Sequence, residues 1–381
     1  MSAVKNRSTP LLRFPEFTED WKSLPMTKIA KIGTGKKDTQ DKDTNGKYPF
    51  YVRSDTVEKI NSYGYDGVAI LTSGDGVGVG KNFHYVNGKF DYHQRVYAIR
   101  DFINKADSRF VYEYFSANFY KRVIRLSAKN SVDSIRMTMI ADMPIPIPDL
   151  SEQKKIAEFL TLVVERIELI GKKIELSKAY KKGLMQKLFP AKDQTNPTLR
   201  FKKPDGSDFP DWHTVSLSEL LEYEQPTSYI VQSVEYDDTY GTPVLTAGKT
   251  FILGYTNEKN GIKDASSNPV IIFDDFTTAS HFVDFNFKVK SSAMKILKQK
   301  AETPMKLTYE LLNQINYEVG DHKRHWIGEY QNLPVKLPFH IKEQEKIADF
   351  LSSIDEKIKE QERKLEQAKE FKKALLQQMF V

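Results

Sequence analysis

One stretch limits the fold more than any other, because the chain carries it twice. Residues 152–189 recur 191 positions later as residues 343–380, without a gap. Glu152-Gln153, Lys155-Ile156-Ala157 and Phe159-Leu160 return as Glu343-Gln344, Lys346-Ile347-Ala348 and Phe350-Leu351, and 17 of the 38 aligned positions are identical. Neither copy contains proline, and both are rich in Glu, Lys, Leu and Gln, which are strong helix formers. The apolar residues set the kind of helix. Ile156, Leu160, Val163, Ile167, Ile170 and Ile174 step by fours and threes, and Ile347, Leu351, Ile354, Ile358, Leu365 and Ala368 keep the same register around a polar Gln361. A sustained period of about 3.5 residues with charges around it marks a coiled-coil seam. A lone helix has nothing against which to bury such a stripe, so two similar helices in one chain are expected to bury it against each other. Each runs about 55 Å at roughly 1.5 Å per residue.

The repeat reaches beyond the helices. Pro10, Leu12-Arg13-Phe14 and Trp21 recur as Pro197, Leu199-Arg200-Phe201 and Trp212, and each tryptophan is read as a packing anchor. Between each leader and its helix lies a mixed block. In the first, Tyr48 to Val52, Val68 to Leu71 and Val96 to Ile99 are short β-rich runs bounded by turn residues. Phe110 to Arg125 carries Tyr112, Phe115, Phe119 and Ile124 near helical spacing and is expected to face a core. The block leaves through Met143-Pro144-Ile145-Pro146-Ile147-Pro148, whose prolines restrict it to an edge. Asp149 and Glu152 then read as a capping box opening the helix. The second block answers with Thr242 to Leu245, Val270 to Phe273 and the exit Leu333 to Pro338. The expected divisions are a leader over 1–21, blocks over 22–150 and 212–341, helices over 151–190 and 342–381, and a linker over 191–211. This is an α+β chain in tandem repeat. The helices have stayed alike while the blocks have diverged.

Composition narrows the classes. With 381 residues, 40% hydrophobic and 28% charged, the chain has material for two or more cores. No cysteine is present, which excludes disulfides and cysteine-based zinc sites and suits a reducing cytoplasm. Met1 to Pro15 lacks the apolar centre of a secretory signal, and no window approaches a membrane span. A net charge of +6 is compatible with nucleic acid.

Catalytic patterns fail their tests. Gly74 to Lys81 resembles a phosphate loop, but Asp75 stands where a Walker loop needs glycine and Asn82 where it needs Ser or Thr. Val79 likewise breaks the dinucleotide fingerprint, so a hairpin turn is the better reading. Asp149, Glu152 and Lys154 mimic a nuclease triad, but capping accounts for them better. His322, His325 and Glu329 have helical metal-ligand spacing without further support, and are read as solvated surface. No adenine-methyltransferase motif occurs; Asn268-Pro269-Val270 lacks the aromatic residue. The chain is therefore expected to hold no metal or cofactor and to catalyse nothing alone. Binding residues are better represented. Basic, amide and hydroxyl side chains beside turns suit phosphate and base-edge contacts. The candidates are Arg53, Ser54, Thr72, Ser73, Lys81, Asn82, Gln94 and Arg95 in the first block. In the second they are Thr246, Lys249, Asp274, Asp275, Thr277 and Thr278, with Lys323 and Arg324 as weaker additions.

The duplicated Glu-Gln-x-Lys-Ile-Ala-x-Phe-Leu helices, the Arg-Phe and Asp-Trp leaders and the divergent blocks together resemble the specificity subunit of type I restriction–modification systems. Val270 to Thr277 and Phe282 to Phe285 also look like one target-recognition subtype of that family. The resemblance implies two mixed α/β target recognition domains related by a pseudo-twofold and separated by two long antiparallel coiled-coil helices. Each domain would read one half of a bipartite site in double-stranded DNA. The helices would set the gap and dock two methyltransferase (modification) subunits, and two restriction motor–nuclease subunits would complete the complex. S-adenosylmethionine, ATP and Mg2+ would belong to those partners. Two other readings stand beside it: a specificity subunit whose partner fuses nuclease and methyltransferase, and a coiled-coil scaffold that binds only protein.

Overall fold

The computed structural model describes residues 9–76, 78–127, 134–247, 250–317 and 325–381. The chain divides into two compact units, one of Met1–Lys172 with Glu362–Val381 and the other of Lys173–Gln361. The divisions fall inside the two long helices, so each unit holds one block with part of both helices.

In the first unit a six-stranded sheet is built from β2 (Lys31–Thr34), β3 (Tyr48–Tyr51), β4 (Val57–Ile60), β5 (Tyr65–Ser73), β6 (Phe83–Tyr92) and β7 (Val96–Arg100), in the order β2-β7-β5-β6-β3-β4. A separate pair joins β1 (Lys22–Pro25) to β8 (Pro144–Ile147), which puts the alternating-proline exit on a two-stranded ribbon. The helices are α1 (Ser108–Leu126), the short α2 (Met137–Ala141) and the long α3 (Leu150–Leu188), which continues into the second unit. Strand β5 shows why the sheet is covered on both faces. Ile70 joins the core under α1 with Phe110, Phe115 and Phe119, while Ala69 and Leu71 join an opposite cluster with Phe90, Tyr92 and Ala98. Successive strand residues face opposite ways, so one apolar run serves two cores. The Asp107 carboxylate accepts the Arg109 and Phe110 N–H groups and caps α1. Ile124, expected on the core face of α1, is 42% exposed: it follows the buried Val123 by one residue and so points away.

The second unit carries β9 (His213–Ser216), α4 (Leu217–Leu220), β10 (Leu221–Glu224), β11 (Thr242–Leu245), β12 (Ile252–Thr256), β13 (Val270–Asp274), β14 (Ser280–Val283), β15 (Lys288–Val289), β16 (Met294–Gln299), α5 (Met305–Asn313), β17 (Pro334–Leu337) and α6 (Ile341–Gln378), the last continuing into the first unit. Its strands form sheets β10-β16-β13-β14 and β12-β11-β15, with the β17-β9 ribbon repeating the proline exit. Here β13 plays the part of β5. Ile271 and Phe273 enter the core with Trp326, and Val270 and Ile272 enter one with Leu245 and Phe287.

Within each unit the long helices meet start to end. In the first, Ile156, Ala157 and Leu160 from the start of α3 share a core with Leu375 near the end of α6 and with Met379 and Phe380 just after it. In the second, Ile347, Ala348 and Leu351 from the start of α6 meet Met185 and Leu188 from the end of α3 and Phe189 just after it. The helix segments therefore run antiparallel in both units. The seam positions Ile156, Leu160, Ile174, Ile347, Leu351, Ile354 and Ile358 are buried, and Val163, Ile167, Ile170 and Leu365 are partly so. Polar Gln361 meets Ser177 at 3.3 Å.

A buried ion network adds to the second core. Lys181 of α3 and Lys306 of α5 both reach Glu310 and Asp355, at 2.6–2.9 Å. Burial works against these charges, but the two acids raise the Lys306 pKa and the two lysines lower that of Asp355. In the first unit Lys372 and Glu113 keep one arm of this network at 3.4 Å, and Val164 stands at the repeat position of Asp355.

Candidate nucleic-acid interface

The repeated leader seats each block on its helix. Glu152 is buried in the first turn of α3, where Arg13 donates from Nε and Nη2 to its two oxygens, both at 2.8 Å, and the Trp21 indole donates at 3.3 Å. The second unit repeats the clamp: Arg200 donates to Glu343 at 2.7 and 2.9 Å and Trp212 at 3.4 Å. A planar guanidinium matches a carboxylate at two points, which fixes orientation as well as distance. The bond to Glu152 raises the Arg13 pKa, and the bond to Glu343 that of Arg200. This corrects the capping-box reading, since both oxygens of Glu152 are engaged by the leader.

The adjoining glutamines extend the lock. Gln153 accepts from the Asp107 N–H at 2.8 Å and donates to Pro148 O at 2.8 Å and Lys105 O at 3.0 Å. Gln344 donates to Pro338 O at 2.8 Å, but its Oε1 is buried with no partner among the described residues. The residue capping α5 is Pro304, which has no N–H to give.

On the first block the structure gathers three of the predicted residues. Residues 93–95 join β6 to β7 in a turn held by backbone bonds: His93 N to Tyr51 O, Gln94 N to Lys37 O, Val96 N to His93 O and Gly74 N to Arg95 O, all at 2.7–2.9 Å. Buried His93 accepts the Arg95 N–H on Nδ1 at 2.9 Å, and burial followed by the Arg53 charge pushes its pKa down. Gln94 Nε2 donates to Asp38 at 2.7 Å, while Arg53 and Arg95 lie 3.3 and 3.8 Å from the two oxygens of Asp75. The Thr39 N–H, and then the Gln94 amide, hold the Asp38 pKa below the usual carboxylate range. Arg53, Gln94 and Arg95 are exposed around these acids.

Other predicted residues lie elsewhere. Ser54 is exposed, and Lys81 is exposed with its ammonium 5.1 Å from the centre of the Tyr120 ring. Gly74 to Gly76 and Gly78 to Lys81 belong to the connection between the antiparallel strands β5 and β6, as a hairpin requires. Thr72 and Ser73 are buried in β5, so folding removes them from a binding surface. Asn82 is buried too; with its amide turned to satisfy both ends it donates to Asp55 Oδ1 at 2.8 Å and accepts the Asp55 N–H at 3.2 Å.

In the second block Asp274 and Asp275 are buried supports. Asp274 accepts the Phe276 and Thr277 N–H groups at 2.9 and 3.3 Å, and Asp275 accepts the Trp326 N–H at 2.9 Å with Lys295 3.5 Å away. They shape the turn between β13 and β14, which leaves Phe276 and Thr277 exposed and places Thr278 at φ 60°. Thr246 donates its hydroxyl to Thr250 O at 2.6 Å. Lys249, His322, Lys323 and Arg324 lie outside the described residues. His325, expected at the surface, is buried 3.2 Å from the Tyr317 hydroxyl. Among the described residues no group of three His, Cys, Asp or Glu is placed to hold a metal ion, and no helix is long and apolar enough to cross a membrane.

Three exposed leucines have no counterpart in the sequence analysis. Leu162, Leu169 and Leu176 on α3 are 64%, 67% and 71% exposed and step by seven residues. The matching positions on α6 are Ser353, Glu360 and Gln367.

The profile described as the type I restriction modification DNA specificity domain matches residues 18–177 and again residues 210–370. The chain belongs to that family. Each match contains one clamp tryptophan, one block and much of one long helix. Among type I specificity subunits, the chain is 56% identical over 126 residues to the EcoR124I/EcoR124II subunit of Escherichia coli, covering 32% of this chain and 31% of that one. It is 31% identical over 156 residues to the E. coli EcoDI subunit, covering 41% and 34%. The alignments thus span about a third of each relative. The fold of the type I S subunit from M. genitalium matches over 98% of this chain and 99% of that one, with a TM-score of 0.70 at 16% identity.

Proposed function

We propose that this chain is the DNA-specificity subunit of a type I restriction–modification complex and performs no chemistry itself. Each block is a target recognition domain that reads one half of a bipartite, asymmetric site in double-stranded DNA. The carrying observation is the duplicated Arg–Glu–Trp clamp, which seats two unlike polar surfaces on helices of one shared design. Unlike surfaces predict unlike half-sites, in the way that repressor dimers with like surfaces read like ones. Helices α3 and α6 set the gap and dock two modification subunits, and the exposed Leu162 and Leu169 of the first unit offer apolar side chains for such docking. S-adenosylmethionine, ATP and Mg2+ belong to the modification and motor–nuclease partners. The work takes place in the cytoplasm.

The test is a map of N6-methyladenine in cells with and without this chain, both expressing its methyltransferase partner. Methylation confined to one two-part motif with a fixed gap, and lost with the chain, is the expected result. A complex that assembles without chain-dependent methylation would refute the proposal in favour of a protein-binding scaffold.

A further inference from the structure

We infer that the turn carrying Gln94 and Arg95, together with Arg53, is the base-reading element of the first unit, with Asp38 and Asp75 as its positioning residues. The inference rests on the proposed DNA-reading function and adds which bases are read. Gln94 gives one amide hydrogen to Asp38 Oδ2 at 2.7 Å. Its Oε1 and second hydrogen then match the N6 donor and N7 acceptor of adenine in the major groove. Arg53 and Arg95 each use one nitrogen toward Asp75, at 3.3 and 3.8 Å, and keep further donors for the O6 and N7 acceptors of guanine.

Two observations favour bases over phosphates. The arginine charges are balanced by Asp38 and Asp75, beside a His93 whose pKa burial depresses. A phosphate would meet those carboxylates as like charges, whereas a base edge brings no net charge. The turn is also prebuilt. Its backbone is bonded on all sides, and Gly35 lies so close beneath it that a Cβ there would come 1.8 Å from Tyr92 O. A rigid mount of this kind holds a reading side chain in one geometry before DNA arrives.

The experiment selects from a fully randomised duplex library with the full chain co-purified with its methyltransferase subunit. Wild type is expected to enrich a two-part motif. Gln94→Ala should lower the preference for one A·T pair by about five- to hundred-fold, and Arg53→Ala or Arg95→Ala should do the same at a G·C pair. Asp38→Ala should copy Gln94→Ala, while Asp38→Asn, which keeps an acceptor oxygen, should restore the preference. The other half of the motif serves as the folding control and should not change. Wild-type letters retained in both Gln94→Ala and Arg95→Ala would overturn the inference alone. So would uniform weakening across all sequences, which marks phosphate contact. A wild-type complex that enriches nothing would overturn the function and this inference together.

Discussion

Arg13→Ala is the sharpest probe of how the blocks are held. The Glu152 side chain is 2% exposed within the intact clamp, and the substitution removes its two-point partner, with the Trp21 indole at 3.3 Å as its remaining donor from the clamp. Removing one partner from a buried pair costs about 3–5 kcal/mol, because the other charge stays desolvated. For a unit of this size that lowers the unfolding midpoint by on the order of 10 °C. Arg13→Lys keeps the charge but loses the two-point fork, and should fall between Arg13→Ala and wild type. Replacing both partners with methionine removes both desolvation costs and should recover most of the loss. The double-mutant cycle is then expected to give a coupling of about 2 kcal/mol or more. Denaturant unfolding measures the cost, and amide hydrogen exchange in the first turns of α3 locates it. Arg200→Ala is the built-in replicate, with its effect in the first turns of α6. A loss below about 1 kcal/mol for Arg13→Ala, the scale of an exposed pair, would refute the reasoning. So would additivity in the cycle.

Three further outcomes are expected. Asp355 has a lowered pKa in the folded chain, so its stabilising contribution is present above about pH 4 and is lost as pH falls through the folded value; the stability gap between wild type and Asp355→Asn, measured by denaturant titration at each pH, should shrink in acid. Changing Leu162 and Leu169 together to serine should leave stability within about 0.5 kcal/mol at each position, because the residues are exposed, yet weaken binding of the proposed methyltransferase partner by at least tenfold in calorimetry. Gly35→Ala, with a Cβ 1.8 Å from Tyr92 O and 2.7 Å from His93 O, should destabilise the first unit by about 1–3 kcal/mol or more in the same unfolding assay.

The sequence alone settled the features that rest on local spacing. The seam of α3 and α6 was legible because residues three and four apart share a helix face whatever else the chain does. Strands β3, β11 and β13 were legible as short β-rich runs between turn residues, and the proline exits named their own edge position. The repeat announced two related blocks before any contact was known. Strand β6 stayed hidden because Asn87-Gly88 sits in its middle and imitates a turn.

Tertiary structure decided which polar residues face outward. Thr72, Ser73, Asp274 and Asp275 have the chemistry of DNA contacts, but folding buries them: Lys295 and the Trp326 N–H engage Asp275, β6 and β7 flank Thr72, and Asp274 turns back onto the Phe276 and Thr277 N–H groups beside β16. Glu152 likewise turned away from Asp149, three residues off, to Arg13 and Trp21, well over a hundred residues off. A buried carboxylate takes the partner that best offsets its desolvation, and sequence distance does not enter that balance. Spacing therefore set the helices and their duplication, while long-range desolvation and hydrogen bonding chose which of the predicted residues remained at the surface.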